Sequence, residues 1–297
     1  MELGTTLFHE KSRGIPAATA LVAAAGFRRI DFDLTYDNGF SGGDEEKYFL
    51  GLKRRINDLG VTLSQAHAPY LNKISTDPAE YFDPDLIRRQ QAAIRRAAFL
   101  GSPYLVFHPY IPYTKNCENE PYDYEIFRKE NFERNLDFFG RLEPSLREYG
   151  VRGALENTVA HDWVGRCAAP SVCCTSKETA AMIDALGDSF CACLDAGHLN
   201  LLKGESLKEY VEGLGSRLKV LHLHDNFGAL SDWFGELDRH LPPYFGSLKW
   251  QELVAALKEN NFTGVFSFEC IAYAPEQFDK EFAEFLFRAG KTLLGEA

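Results

Sequence analysis

Short runs that alternate apolar and polar residues take turns along this chain with longer runs in which apolar residues recur every three or four positions. The first pattern builds strands and the second builds helices with one buried face. Residues 4–8 read as a first strand, and Pro16 opens an Ala-rich helix that stops at Gly26. Strand 29–34, a charged helix 44–59, strand 61–67 and helix 83–100 follow, the two helices closed by Gly60 and Gly101. The rhythm continues with strand 104–108, helix 123–149, strand 151–156 and a helix from a Ser176 cap to Leu186. Strand 190–195, a short helix 206–213, strand 218–224, helix 249–260, strand 264–269 and helix 276–293 complete it. Eight strands alternating with eight helices predict an α/β chain folded as a (β/α)8 TIM barrel. No linker or low-complexity stretch interrupts the series, so a single domain over 1–297 is expected. A doubly wound sheet would carry a GxGxxG turn after an early strand, and the chain has none.

Composition narrows the class. Hydrophobic residues at 45% and charged residues at 25% of 297 suit a globular protein with a large core and exclude a disordered chain, a collagen and a coiled coil. No apolar run is long enough for a membrane helix, and the N-terminus lacks the h-region of a secretory signal. A formal charge of −11 disfavours nucleic acid and anionic membranes as partners. The seven cysteines show no zinc-knuckle spacing and read as reduced thiols of a cytoplasmic protein.

In a barrel of this kind chemistry sits where the strands end. Those ends read His9, Asp33, His67, His108, Glu156, Asp195, His222 with His224, and Glu269. Each alone is more often a satisfied hydrogen-bonding residue than a ligand, as for His9, Asp31 and Asp33, and His161 reads as a solvent residue in a loop. Together they gather carboxylates and imidazoles on one rim, a costly arrangement that a divalent cation compensates. Mixed carboxylate and imidazole ligation suits Mn²⁺, Zn²⁺, Fe²⁺ or Co²⁺ and does not suit Ca²⁺. His222 and His224 face the same way on a strand, so one is expected as the terminal ligand with the other a layer away. Asp195-Ala-Gly-His198 sets an imidazole one turn past a carboxylate, with Gly197 permitting the bend. Asp238-Arg-His240 is either a loop salt bridge or a further polar pair.

The segments Leu-Glu156-Asn-Thr, Leu-Asp195-Ala-Gly-His198, His222-Leu-His-Asp-Asn226, Asp238-Arg-His-Leu-Pro-Pro, Gly246-Ser-Leu-Lys-Trp250 and Ser-Phe-Glu269 resemble the xylose isomerase-like TIM barrel superfamily. That superfamily includes sugar isomerases and epimerases, inosose-processing enzymes and endonuclease IV. Its epimerase branch implies one divalent metal (Mn²⁺ or Zn²⁺, with Co²⁺, Fe²⁺ or Mg²⁺ as alternatives) on Glu156, Asp195, His222 and Glu269. In that branch the two glutamates act as acid and base on the carbon between them, through a metal-stabilised enediolate, and His198 binds sugar oxygens. The endonuclease branch implies three zincs on His67, His108, Glu156, Asp195, His198, His222, Asp238, His240 and Glu269, with abasic DNA as substrate. A dehydratase-like lyase and a non-catalytic sugar-binding barrel are further readings. Charge separates the branches without choosing between them, since the number of filled sites is left open: one dication against three carboxylates leaves about −1, which suits a neutral sugar or polyol, whereas three dications favour an anionic substrate. The loop 109–124 sets tyrosines beside acids, a pattern for stacking on a sugar ring and not for tracking phosphates. The stretch after His224 lacks the arginine that ketose 3-epimerases usually place there, so the substrate is left open, as is the oligomeric state, a homo-oligomer included.

Overall fold

The computed structural model describes residues 1–7, 14–35, 38–69, 84–109, 124–162, 167–228, 238–270 and 278–296. Ten strands are found there: β1 (Glu2–Thr6), β2 (Arg29–Asp33), β3 (Thr62–His67), β4 (Tyr104–Phe107), β5 (Arg152–Glu156), β6 (Val159–Asp162), β7 (Cys167–Pro170), β8 (Phe190–Asp195), β9 (Leu218–His222) and β10 (Val265–Phe268). The helices are α1 (Gly14–Ala25), α2 (Glu45–Asn57), α3 (Pro84–Leu100), α4 (Tyr124–Gly140), α5 (Glu143–Tyr149), α6 (Ser176–Leu186), α7 (Ala196–Asn200), α8 (Leu207–Leu214), α9 (Trp250–Glu259) and α10 (Lys280–Leu294). No helix of the described residues is long and apolar enough to cross a membrane.

Eight strands pair in parallel in the order β10–β1–β2–β3–β4–β5–β8–β9. A bridge between Leu223 and Phe268 brings the two ends of this sheet together. There Leu223 N donates to Ser267 O at 3.0 Å and Glu269 N donates to Leu223 O at 3.0 Å. The result is the (β/α)8 barrel that the alternating pattern predicts, nearly closed, and its last seam fixes the backbone of Glu269.

Two apolar layers hold it together. Large side chains such as Phe27, Phe49, Phe139, Phe190 and Trp250 fill the shell between strands and helices. Inside the barrel, Val106, Ala154, Cys191, Cys193 and Val220 form a separate plug. Side chains alternate along a strand, so the residue two places beyond a plug residue also points inward. Those residues are His108 after Val106, Glu156 after Ala154, Asp195 after Cys193 and His222 after Val220. The polar rim is therefore the next layer of the same barrel interior.

Four expectations are corrected. The helix expected over 123–149 is two helices, because Pro144 lacks an amide hydrogen and starts a new helix at its N-terminus. The stretch after Glu156 is not all loop: β6 and β7 pair as an antiparallel hairpin, and His161 lies in β6. The cap of α6 is Thr175, whose hydroxyl accepts from Glu178 N, while Ser176 hydrogen-bonds Glu205 with both its amide and its hydroxyl. A short helix, α7, directly follows Asp195, which caps it by accepting from His198 N at 2.7 Å. Cys173, Cys174, Cys191, Cys193 and Cys270 are buried thiols outside any disulfide.

Candidate metal centre

Glu156, Asp195 and His222 end β5, β8 and β9, and Glu269 follows β10. All four are buried, and one ligand atom from each lies within 4.8 Å of the others. These are the four residues that the resemblance implies for a single ion. His222 is the best defined. Its Nδ1 lies 3.3 Å from Glu156 Oε2 and 3.3 Å from Glu269 Oε2. Its Nε2 lies 2.9 Å from Oδ2 of Asp31, a buried carboxylate on β2 that also accepts from Gln65 Nε2 at 3.3 Å. A ring whose Nε2–H donates to a carboxylate presents the Nδ1 lone pair inward, an orientation characteristic of a histidine ligand. Neither His222 Nδ1 nor Glu156 Oε2 makes a hydrogen bond among the described residues, although both are buried. Two acceptors facing one another are costly, and either a proton on the ring or a cation between them removes the cost.

Two further groups flank these four. His67 Nδ1 bonds Ala68 O at 2.8 Å, which directs Nε2 to within 3.5 Å of Glu156 Oε2. His108 Nε2 lies 3.1 Å from that oxygen and 3.1 Å from His67 Nε2. On the other side His198 Nδ1 bonds Asn157 O at 2.9 Å and His240 Nδ1 bonds Glu269 O at 2.8 Å. Their Nε2 atoms each lie 3.2 Å from Asp238 Oδ2, so Asp238–His240 is more than a loop pair. His240 adopts a left-handed φ of +46°, a strain of roughly 1–2 kcal/mol for a residue with a Cβ. Its ring is held from three sides, the third being His224, stacked at 3.8 Å and 15°.

Charge within the cluster is strongly coupled. Burial raises the Glu156 carboxyl, yet His108 and His222 pull it well below the usual range. Burial likewise opposes ionisation of Asp238, and His240 with His198 pulls it well below. Burial lowers the imidazoles, but Glu156 carries His67 up to about 9 and Asp238 carries His240 up to about 10. Among the described groups, protons on the rings answer the carboxylates. A bound cation displaces such protons, which is how ligand sets of this composition behave.

All ten candidate residues thus meet at one rim, His224 included. It is not a layer away: β9 ends at His222, and His224 Nε2 reaches Asp195 Oδ2 at 3.1 Å. Gly197 does something other than bend the chain. A Cβ there would run into the His224 ring, so its absence makes room for that ring. Asp33 stands apart, accepting from Thr35 N at 2.7 Å in a turn. His9, the segment 110–123, Trp163, Trp233 and Phe234 lie outside the described residues.

Three positioning residues were not legible beforehand. Asp31 holds His222. Asn157 clamps the backbone of Asp195, accepting from Asp195 N and donating to Asp195 O at 2.8 Å each. Asp225 accepts from Leu248 N at 2.9 Å and from the Trp250 indole at 3.0 Å. That explains why His-Asp-Asn and Gly-x-Leu-Lys-Trp occur together. Asn157 and Asp225 stood inside motifs as signals without roles, whereas Asp31 carried no signal beyond its place on a strand.

Comparison with known proteins agrees with this architecture. The chain is 25% identical over 292 residues to the uncharacterized protein y4fM of Sinorhizobium fredii (strain NBRC 101917 / NGR234), with 88% of this chain and 83% of that one covered. Its fold matches a D-tagatose 3-epimerase-like protein (TM-score 0.73, 19% identity, 100% and 99% of the two chains covered). It also matches a D-psicose 3-epimerase crystallised in the presence of D-fructose (0.73, 18%, 99% and 100%) and the IOLI protein with a bound zinc atom (0.74, 18%, 100% and 99%). At these identities the structures establish the shared fold. The model of the xylose isomerase-like TIM barrel matches residues 19–288, nearly the whole chain, and the protein belongs to that family.

Proposed function

We propose that the protein is a divalent-metal-dependent isomerase or epimerase of a small sugar or keto-polyol, with Glu156 and Glu269 as acid and base. The observation that carries this is the buried set Glu156, Asp195, His222 and Glu269, two glutamates sharing one imidazole nitrogen at 3.3 Å each. The donor set of three carboxylates and one imidazole fits Mn²⁺, Zn²⁺, Co²⁺ or Fe²⁺. A bound ion would polarise a carbonyl and its neighbouring hydroxyl and so acidify the C–H between them. One glutamate would take that proton to leave an enediolate, and the opposite glutamate would return a proton to carbon to give the new isomer. Glu156, at 1% exposure, is shielded from water, whereas Glu269, at 8%, is less fully enclosed. His198, fixed through Asn157 O, is placed to donate to a sugar oxygen. The sugar-named neighbours support this reading, and so does the acidic charge of −11, which disfavours polyanionic substrates.

The test is solvent-deuterium exchange into a panel of ketoses and keto-polyols by the metal-loaded protein. Glu156→Gln and Glu269→Gln are each expected to abolish exchange while the other glutamate stays in place. Exchange that persists in either variant removes that residue from the acid–base role.

One observation favours a second reading. The groups His67–His108–Glu156 and His198–Asp238–His240 offer ligands beyond those one ion needs. Full loading of all three groups would make the rim cationic and suit a phosphodiester, such as that of abasic DNA. Metal content of the purified protein separates the two readings. A single equivalent per chain supports the sugar reading, and three equivalents with nicking of an abasic duplex support the other.

A further inference from the structure

At the opposite end of the barrel, a cavity of about 710 Å³ opens where the strands begin. Its wall includes Glu2, Arg29, Tyr104 and Arg152, which start β1, β2, β4 and β5, and Lys219, second in β9. Gln65 also lines it, and its amide donates to Asp31 Oδ2 and Leu221 O. A layer of protein therefore separates this cavity from the candidate metal centre, and none of the centre's ten residues lines it.

The charges of this cavity do not balance. Arg29 is matched by Glu2, Nε to Oε2 at 2.8 Å. Among the described residues Arg152 donates only to neutral acceptors, Asp188 O at 3.1 Å and Phe190 O at 2.7 Å. The Lys219 side chain has no hydrogen bond or ion pair among the described residues, and the residue is partly buried in the wall. Both cations bear on one interior point, the Cys191 thiol. Burial pushes that thiol up to about 12, against the pull of Arg152 and Lys219. Arg152 and Lys219 both line this one concavity without a carboxylate partner among the described residues, on a chain whose overall charge is −11. Like charges lining one cavity repel, and an anion bound between them would relieve that repulsion. The two carbonyls that hold Arg152 also orient its planar fork in advance, which lowers the entropic cost of binding. The volume is that of a small-molecule site and exceeds what a bare ion fills.

We propose that this lower mouth binds a phosphate group, carried on a small metabolite or free, with Lys219 and Arg152 as its charged contacts and Tyr104 beside them. The site is independent of the reaction at the other rim. Strand-end cations can serve the barrel alone, as Arg152 does by tying β5 to the start of β8. Lys219 makes no such tie.

Calorimetric titration of the metal-loaded protein tests this, with inorganic phosphate and ribose 5-phosphate as probes and chloride at matched ionic strength as reference. A saturable site for at least one probe is expected, and the tighter probe names the source of the phosphate. Lys219→Gln is expected to weaken binding roughly tenfold or more, the loss of one charge-assisted contact, with metal content unchanged. Lys219→Arg is expected to retain it. No binding beyond the chloride reference overturns the proposal. So does undiminished binding in Lys219→Gln, which would put the anion at the metal centre.

Discussion

A histidine that binds a cation must present a lone pair, and its other ring nitrogen must be tied so that the ring cannot turn. His67, His198, His222 and His240 each meet the second condition, through Ala68 O, Asn157 O, Asp31 and Glu269 O respectively. Asp31 is the only one of these anchors that a side-chain substitution can remove. Asp31→Asn is expected to weaken metal binding about 10–100-fold while leaving the fold intact, measured by competition with a chelating dye. Unchanged affinity would mean that His222 is not oriented by Asp31. Gly197→Ala tests the neighbouring contact. The added methyl displaces the His224 ring and its bond to Asp195, and about 1–3 kcal/mol of stability is expected to be lost in denaturant titration. Equal stability would show that the ring has room to move.

At the level of elements, the site depends on how strands and loops end. Helix α7 begins on Asp195, so the carboxylate that caps it also faces the centre. Loop geometry after β9 is set by Asp225, whose oxygens receive Leu248 N, the Trp250 indole and Asn226 N. Replacing it with alanine leaves those buried donors without their acceptor. Asp225→Ala is expected to cost about 2–4 kcal/mol in chemical denaturation, with the α9 end of the barrel loosening first in hydrogen exchange. Exchange that rises evenly over the whole barrel would sink the idea of a local clamp. A similar experiment separates the two residues at the start of α6. Thr175→Ala removes the side-chain cap and is expected to lower stability by about 1 kcal/mol in the same titration.

For the whole molecule, the cluster ties stability to pH and, under the proposed function, to metal as well. In the metal-free protein His67 sits at about 9 and His240 at about 10, against 6.5 for a free imidazole. A raised folded value means that the contribution is complete below pH 6.5 and is lost as pH climbs through 9 to 10. The lowered values of Glu156, Asp195 and Asp238 act in the other direction: their contribution holds above the ordinary carboxylate range and disappears in acid. A bound cation would take the place of the ring protons and would be held more tightly as those protons leave. The difference in Tm between metal-loaded and chelator-treated protein is therefore expected to widen from pH 6.5 to 9.5, read by calorimetry. A constant or shrinking difference would mean that the imidazoles are not ligands.

The barrel was legible in the chain because its cause is local: period-two runs alternating with amphipathic runs closed by glycines need no knowledge of distant partners. The acids and imidazoles at the strand ends were legible for the same reason, since alternation puts each one layer beyond the apolar plug. The hairpin of β6 and β7 was not, because two four-residue strands carry too little periodicity to stand out from a loop. Nor was the grip of Asp31 on His222, which joins residues 191 apart and exists only because the sheet curls until β2 faces β9. Which imidazole nitrogen points inward, why position 197 must lack a Cβ, and which cations at the lower mouth go without a carboxylate were likewise decided by closure. Each depends on distances between segments that only a folded barrel brings together.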